Sequence, residues 1–279
     1  MTGEFLLFRL VRKILAAWEC TRYGLTRPPT DQKFTIVSCE RHAGDFAIRC
    51  LDSVNAQRYD KGLVRHLFID DASEDGTFDR IVAWLQQHPD NRVELVRREK
   101  RCGGTANTLE GIRMAHADSI VIELNGDDWL PDAGVLDFYN RVYMDDHVWM
   151  TYNSFRNSGG PPSANAREYP DSVVAGNAFR DQEGWQASHL HTFRKRLFNH
   201  LDETVFIDPE TGRYWECADD QALYLGLLEL AGRHSRHIHR ITCIYNFWEA
   251  SHSHVDASGS IAVAARIRQG KRFQPLSGL

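Results

Sequence analysis

The stretch SIVIELNGDDWLP, residues 119–131, decides how the chain is organised. An apolar run at residues 120–124 stops at NGDD, residues 125–128. A hydrophobic strand that ends in adjacent carboxylates places negative charge at one edge of a sheet. In an open α/β sheet, ligands bind outside the carboxyl ends of the strands. This stretch therefore predicts a ligand site at the end of a buried strand.

Composition limits the classes of protein that the chain can belong to. It has 279 residues, of which 42% are hydrophobic and 25% charged, as in an ordinary globular domain. The net charge of −5 offers no basic surplus, so no nucleic-acid partner is expected. The six cysteines form no CxxC pair, which favours a reducing, cytoplasmic compartment over a zinc or disulfide framework.

Residues 4–19, EFLLFRLVRKILAAWE, predict an amphipathic helix. Its apolar side chains fall on one broad arc, and basic side chains occupy the other side at Arg9, Arg12 and Lys13. Two interpretations are open. The helix docks on the protein's own surface, or it lies in a membrane interface, peripheral to the inner face of the membrane. A Pro-Pro pair then breaks the helix, so residues 1–30 form a helix and linker.

Strand and helix patterns alternate from residue 33. Strands are predicted at residues 33–39, 63–69, 92–96 and 119–124, with helices at 45–57, 78–87 and 105–116. This order predicts a parallel, doubly wound sheet with helices on both faces.

The second half of the chain is predicted with less regular alternation. Helices are expected at residues 131–143, 187–201 and 219–231, and strands at 148–152 and 240–245. The Gly-, Pro- and Ser-rich residues 153–177 indicate a lid or a partly disordered loop. The polar residues 258–279 predict a loosely held C-terminal tail.

Four pieces in order carry a family resemblance: the turn at residues 38–42, DDASEDGT at residues 70–77, NGDD, and the start of the helix at residues 218–220. Together they resemble the family 2 glycosyltransferases of the GT-A fold, over about residues 34–251. The resemblance implies a Rossmann-like, mostly parallel sheet preceded by the amphipathic helix. The GT-A domain would span residues 31–257, with a nucleotide-binding half at 31–130 and an acceptor half at 131–257.

The resemblance implies that the NGDD stretch binds a divalent cation, Mn²⁺ or Mg²⁺, which in turn binds the diphosphate of the donor. Hard oxygen ligands suit such cations. Asp127 and Asp128 are the expected metal ligands, whereas Asn125 places an amide where the family often has its first aspartate. Asn125 and Asp127 are also expected near the donor. The alternative is that Asp127 or Asp128 simply caps the helix that begins at Pro131. Because some GT-A enzymes use a late histidine, His252 and His254 are further candidate metal ligands.

The resemblance also places the donor nucleotide. Asp71, supported by Asp70, would accept the N–H of a uracil ring, although guanine offers a similar N–H. Lys100 and Arg101 would supply positive charge near the phosphates, and Gly103 would allow close backbone approach. The alternative for residues 70–77 is an ordinary strand-to-helix turn. The alternative for residues 98–104 is a solvated basic loop.

The late helix resembles the segment that holds the catalytic base. An inverting transfer needs a carboxylate to take the proton of the acceptor hydroxyl, and Asp220 is the expected base. Asp219 would raise its proton affinity. Helix capping is the alternative role. Residues 184–194 look like the acceptor-side segment, where Trp185 and His189 are candidate acceptor contacts; Trp185 is equally interpretable as a core residue.

The implied function is a metal-dependent, inverting hexosyltransferase. It would move a sugar from a nucleotide-sugar donor, a UDP-sugar, to a hydroxyl of a glycan, glycoconjugate or lipid-linked acceptor. Asn125 keeps open a catalytically impaired GT-A module that binds sugar nucleotide or a partner. A sugar nucleotidyltransferase would require a Gly-rich basic loop after the first strand. Residues 38–45 contain only one glycine, Gly44, so this alternative is less favoured. The first turn also departs from the family, with CERH at residues 39–42 in place of Pro-x-Tyr-Asn.

Overall fold

The computed structural model describes residues 3–24, 31–164, 166–247 and 257–279. The strands in these ranges are β1 (Phe34–Glu40), β2 (Val64–Asp70), β3 (Val93–Arg97), β4 (Ile120–Glu123), β5 (Met150–Asn157), β6 (His191–Arg194) and β7 (Ser235–Tyr245). The helices are α1 (Gly3–Gly24), α2 (Asp45–Asn55), α3 (Thr77–Gln87), α4 (Gly104–Met114), α5 (Val135–Val142), α6 (Asp171–Ala175), α7 (Lys195–Phe198), α8 (Asp219–Ala231) and α9 (Ala257–Gln269). Short 3-10 turns occupy Lys61–Leu63, Phe179–Asp181, Glu203–Phe206 and Gly232–His234.

The strands form one seven-stranded sheet in the order β3-β2-β1-β4-β6-β5-β7. β6 runs antiparallel to both of its neighbours, and the other adjacent pairs are parallel. Every strand except β6 therefore ends at the same side of the sheet, which we call the carboxyl edge. The mostly parallel α/β sheet with helices on both faces confirms the predicted fold class.

The alternation of side chains along each strand builds a hydrophobic core on either face of the sheet. Val37, Leu67 and Val121 face the core that also contains α4 and α8. The residues next to them in the strands belong to the second core, with α2 and α5. At Gly111 a Cβ would lie 2.5 Å from Cγ1 of Val37, so the absence of a side chain lets α4 pack directly on β1.

The helix predicted at residues 187–201 is wrong for its first half. His191–Arg194 forms β6, all four residues of which are buried, and only Lys195–Phe198 is helical. The strand pairs with β4 on one side and with β5 on the other. Hydrogen bonds from two neighbouring strands satisfy its backbone, so tertiary pairing overrides the local helical pattern.

The expectation of a loosely held tail is also wrong. Ile267 on α9 and Phe273 beyond it are buried against the core that contains α8. Arg180 donates to both Glu229 of α8 and the carbonyl of Ile267, at 2.6 Å in each case. The C-terminal residues therefore complete the packing of α8.

Helix α1 packs along β7 and α5 at the edge of the sheet. The buried carboxylate of Glu19 accepts the backbone N–H groups of His239 and Arg240 at 3.0–3.1 Å. Tyr23 accepts a hydrogen bond from Arg236 at 2.7 Å and packs edge-on against Phe138. Among the described residues, no helix is both long and apolar enough to cross a bilayer.

Candidate functional site

Acidic side chains converge at the carboxyl edge. Glu40 ends β1 in register with Asp70, which ends β2, and the Glu40 carbonyl accepts the N–H of Asp71 at 3.0 Å. Gly126 brings the NGDD turn against β1, because a Cβ there would lie 2.6 Å from the Cβ of Glu40. Residues from three separate strand ends are thereby brought together.

Asp128 is a buried anchor within the NGDD turn. It is 1% exposed, and its Oδ1 accepts the backbone N–H of Asn246 at 2.7 Å. Its Oδ2 accepts the side-chain amide of Asn125 at 3.2 Å. Burial, followed by the charge of Asp127, raises the pKa of Asp128 well above its usual value. The amide of Asn125 can donate to Asp128, whereas an aspartate there would add another negative charge.

Asp127 is more accessible and lies beside Glu40, a residue that the sequence interpretation did not assign. Burial, and next the charge of Asp127, raises the pKa of Glu40 to about 8. The two carboxyl groups repel each other when both are ionised. A cation or a shared proton would relieve this repulsion.

The carboxylate oxygens at this position fit a divalent cation that is bound mainly by the phosphates of the substrate. The described residues contain no group of three or more His, Cys, Asp or Glu side chains arranged to hold a metal ion. Mg²⁺, however, is often bound through one or two carboxylates together with substrate phosphates. Asp127 and Glu40 can supply such carboxylates. His252 and His254 lie outside the described residues, so their role stays a prediction.

Asp71 organises the loop that follows β3. Its Oδ1 accepts the N–H of Cys102 at 2.7 Å, and its Oδ2 accepts the N–H of Gly103 at 2.9 Å. Gly103 has a φ of 90°, which favours glycine. Asp71 therefore holds Cys102 and Gly103 of the loop at the carboxyl edge.

The neighbours of Asp71 divide into buried and exposed groups. Asp70 is buried and accepts the N–H of Ser73 at 3.2 Å, which shapes the turn after β2. Lys100 and Arg101 are exposed on the loop that Asp71 holds. Their expected contact with phosphate stays a prediction.

The late helix reaches the same loop through the first of its two carboxylates. Asp219 and Asp220 occupy the first turn of α8, whereas the cap position itself is Ala218, whose side chain accepts no hydrogen bond. A Cβ at Gly104 would lie 3.1 Å from Oδ2 of Asp219, so the loop and α8 are in contact. Burial, and next the charge of Asp220, raises the pKa of Asp219 to about 7. Burial likewise raises the pKa of Asp220.

A buried polar cluster that the sequence interpretation missed lies beside these aspartates. The Tyr224 hydroxyl donates to Glu123, the last residue of β4. The His191 ring stacks on Tyr224 with centroids 3.5 Å apart, and its Nδ1 is 3.5 Å from Glu123. The one available signal was a charged residue, Glu123, inside an apolar run.

The predicted acceptor residues both lie near this cluster. Trp185 is partly buried beside Asp220, where its indole N–H lowers the pKa of the carboxyl without a well-aligned hydrogen bond. The His189 ring stacks on Tyr245 with centroids 5.0 Å apart. Burial lowers the pKa of His189 to about 4, so this ring is neutral at pH 7. An acceptor contact by either residue stays a prediction.

Comparisons with known proteins identify the family and the fold. A family model described as Glycosyl transferase family 2 matches residues 35–214, more than half of the chain. The fold is similar to that of the mannosyltransferase PcManGT from Pyrobaculum calidifontis, in complex with GDP-Man and Mn²⁺. That match has 17% identity and a TM-score of 0.60, and covers 95% of this chain and 74% of the other.

The fold is also similar to that of S. aureus TarS 1-349 in complex with UDP-GlcNAc. The identity is 15% and the TM-score 0.62, over 85% of this chain and 66% of the other. The chain thus spans slightly less than two thirds of this second structure. A search of curated protein sequences found no match.

Proposed function

The chain belongs to glycosyl transferase family 2, and we propose that it is a metal-dependent, inverting enzyme that moves a sugar from a nucleotide-sugar donor to an acceptor hydroxyl. The observation that carries this proposal is the convergence of Asp71, Asp127 and Asp220 at one edge of the sheet. They come from three distant parts of the chain. Asp71 holds the loop after β3, Glu40 lies beside Asp127, and Asp219, the residue before Asp220, contacts Gly104 of the same loop.

The donor would lie along the loop that Asp71 holds. The carboxylate of Asp71, which accepts two backbone N–H groups, would also accept the N–H of the nucleobase. Lys100 and Arg101 would face the diphosphate from the same loop. A UDP-sugar remains the proposed donor. A guanine base would present a comparable N–H, and the two structural relatives were solved with GDP-Man and with UDP-GlcNAc.

Asp127, with Glu40 beside it, would hold Mn²⁺ or Mg²⁺ against the donor diphosphate. Bound metal would neutralise the negative charge that develops on the departing diphosphate. Asp128 would keep the turn in place through Asn246 rather than bind the metal directly, because this residue is only 1% exposed. This differs from the equal roles expected for the two aspartates from the sequence.

The transfer itself would be a single displacement. The acceptor oxygen attacks the anomeric carbon while the bond to the diphosphate oxygen breaks, and that oxygen leaves with the electron pair. Asp220 takes the proton from the attacking hydroxyl. Its raised pKa makes it a stronger base than an exposed aspartate, and the neighbouring Glu123 carboxylate contributes to that rise.

Calorimetry of nucleotide binding tests the donor and metal sites. UDP and GDP are titrated into the protein with and without Mn²⁺. We expect binding to be at least about tenfold tighter with the metal, since the cation bridges carboxylate and diphosphate. Asp127→Ala should abolish that gain, and Asp79→Ala, at an exposed position on α3, should retain it.

Equal affinity with and without metal would contradict the metal site. If neither UDP nor GDP binds, the proposed donor site is wrong. A screen of nucleotide sugars for hydrolysis then separates the rival functions. Nucleotide binding without turnover of any donor would favour the impaired module. Asn125 motivates that alternative, although the amide has a structural role in holding Asp128.

The acceptor is proposed to be a hydroxyl of a glycan, glycoconjugate or lipid-linked sugar. Trp185 lies beside Asp220 and offers an aromatic ring to such a group. A cytoplasmic location is also proposed. It rests on cysteine usage, since five of the six cysteines are free thiols: Cys39, Cys50, Cys102, Cys217 and Cys243.

A further inference from the structure

The apolar side of α1 faces away from the protein. Six large apolar side chains are exposed among the described residues, and four of them lie on this helix. Leu10, Val11, Ile14 and Trp18 are each 46–59% exposed. At about 100° per residue they fall within one arc, and Glu19 and Tyr23, which contact the protein, lie on the opposite side. The apolar arc of α1 therefore does not pack on its own domain.

The charges around this arc indicate what covers it. Lys13 lies at one margin of the arc and Arg22 at the other, and both are exposed. The Arg22 guanidinium lies 5.2 Å from the centre of the Trp18 ring. Glu19 is the one acidic side chain described on α1, and it is buried against β7. The outward side of α1 is thus apolar with basic margins, although the whole chain carries a net charge of −5.

We propose that α1 lies in the surface of a lipid bilayer that carries anionic headgroups. Apolar side chains with Lys or Arg at the margins are typical of helices that lie in such an interface. A second copy of the chain fits less well. The four half-exposed apolar side chains described on α1 provide far less than the roughly 800 Å² per partner that a stable protein interface buries.

The direction of α1 relates this surface to the candidate active site. Glu19 contacts residues 239–240 of β7, whereas Tyr23 contacts the earlier Arg236. Towards its N-terminus, α1 therefore runs towards the carboxyl edge. Phe247, which follows β7 at that edge, is 52% exposed. A bilayer on α1 would bring the carboxyl edge close to the lipid surface. If the proposed transfer is correct, an acceptor carried on a lipid would reach the site.

Vesicle co-sedimentation of the full chain tests this docking. The probes are vesicles of phosphatidylcholine mixed with phosphatidylglycerol, and of phosphatidylcholine alone. We expect stronger binding to the anionic vesicles, weakened by salt. Leu10→Gln together with Ile14→Gln should reduce binding at least about tenfold. The control Ile261→Gln changes an exposed apolar residue on α9, which is 72% exposed, and should bind as the wild type does.

Two outcomes would overturn the proposal. One is no binding to anionic vesicles. The other is a concentration-dependent dimer, seen by light scattering, that becomes monomeric on substitution of Leu10 and Ile14 while vesicle binding is unchanged. Hydrolysis of UDP- and GDP-sugars is measured on the same proteins without vesicles. Loss of hydrolysis with intact vesicle binding would contradict the proposed function alone, and the reverse would contradict the membrane docking alone.

Discussion

Asp220 is the residue on which the proposed chemistry depends most directly. Its carboxyl group lies in the first turn of α8, beside Trp185 and close to His191 and Glu123. Burial raises its pKa, and the charge of His191 and the Trp185 indole lower it again. Such opposing effects keep a carboxylate ionised near neutral pH and make it a better proton acceptor than an exposed one.

We expect Asp220→Asn to lower donor turnover by about 10²- to 10⁴-fold, the usual contribution of a general base. Hydrolysis at saturating nucleotide sugar measures the effect, and calorimetry checks that nucleotide binding is retained. Asp219→Asn is the matched control in the same turn, and its effect should be much smaller. Unchanged turnover in Asp220→Asn, or a larger loss in Asp219→Asn, would show that the base is another residue.

Glu40 and Asp128 show how neighbours change the role of an acidic residue. The sequence predicts both Asp127 and Asp128 as metal ligands and assigns no role to Glu40. In the structure Asp128 is bonded on both oxygens, and Glu40 lies beside Asp127. The sequence motif predicts a metal site at the end of β4. The division of roles within it depends on contacts between strands β1, β4 and β7, which no local pattern encodes.

Helix α8 is held by a buried ion pair that joins it to the C-terminal segment. The Arg180 and Glu229 side chains are almost fully buried, and their Nε and Oε1 atoms are 2.6 Å apart. Glu229 also accepts the backbone N–H of Phe273 at 3.0 Å. Because α8 begins with Asp219 and Asp220, this pair also supports the helix that carries the proposed base.

Glu229→Ala should lower the free energy of unfolding by about 3–5 kcal/mol, because it leaves the Arg180 charge buried without a partner. Urea unfolding at pH 7 measures it. Arg272→Ala is the matched comparison, since it removes the exposed pair with Asp181 in the same region and should cost less than about 1 kcal/mol. Similar losses in the two variants would contradict the assignment of α9 and its neighbours to the core.

Strand β6 is the element that the sequence predicted least well. Its four residues were expected to be helical, and they form an antiparallel strand in the middle of the sheet. The strands β1 to β4 were recognised because each has its own apolar run and a following helix. A four-residue strand lacks that local signal, and its partners β4 and β5 lie about 40–70 residues away in sequence.

The docking of α1 on the sheet makes the stability of the whole molecule depend on pH. Burial raises the pKa of Glu19 from 4.5 to about 7. The folded protein therefore holds this proton more tightly than the unfolded chain does. The stabilisation is complete below pH 4.5 and is lost as the pH rises to about 7.

As the pH rises from 5 to 8, the titration of Glu19 should lower the free energy of unfolding by up to about 3 kcal/mol. Glu19→Gln should remove that pH dependence. Urea unfolding of both proteins at the two pH values measures the difference. The amide retains an oxygen for the N–H groups of His239 and Arg240. An identical pH dependence of the two proteins would show that Glu19 does not titrate in this range.

The sequence by itself determined the parallel half of the sheet and predicted the edge at which the candidate site lies. Periodic apolar runs and carboxylates at strand ends are local signals, and parallel strands must end on the same side. Only the tertiary structure decided the position of β6, the pairing of Glu40 with Asp127, the Glu123–Tyr224–His191 cluster and the outward face of α1. Each of these depends on contacts between residues far apart in the chain, whose energies appear only when the elements pack together.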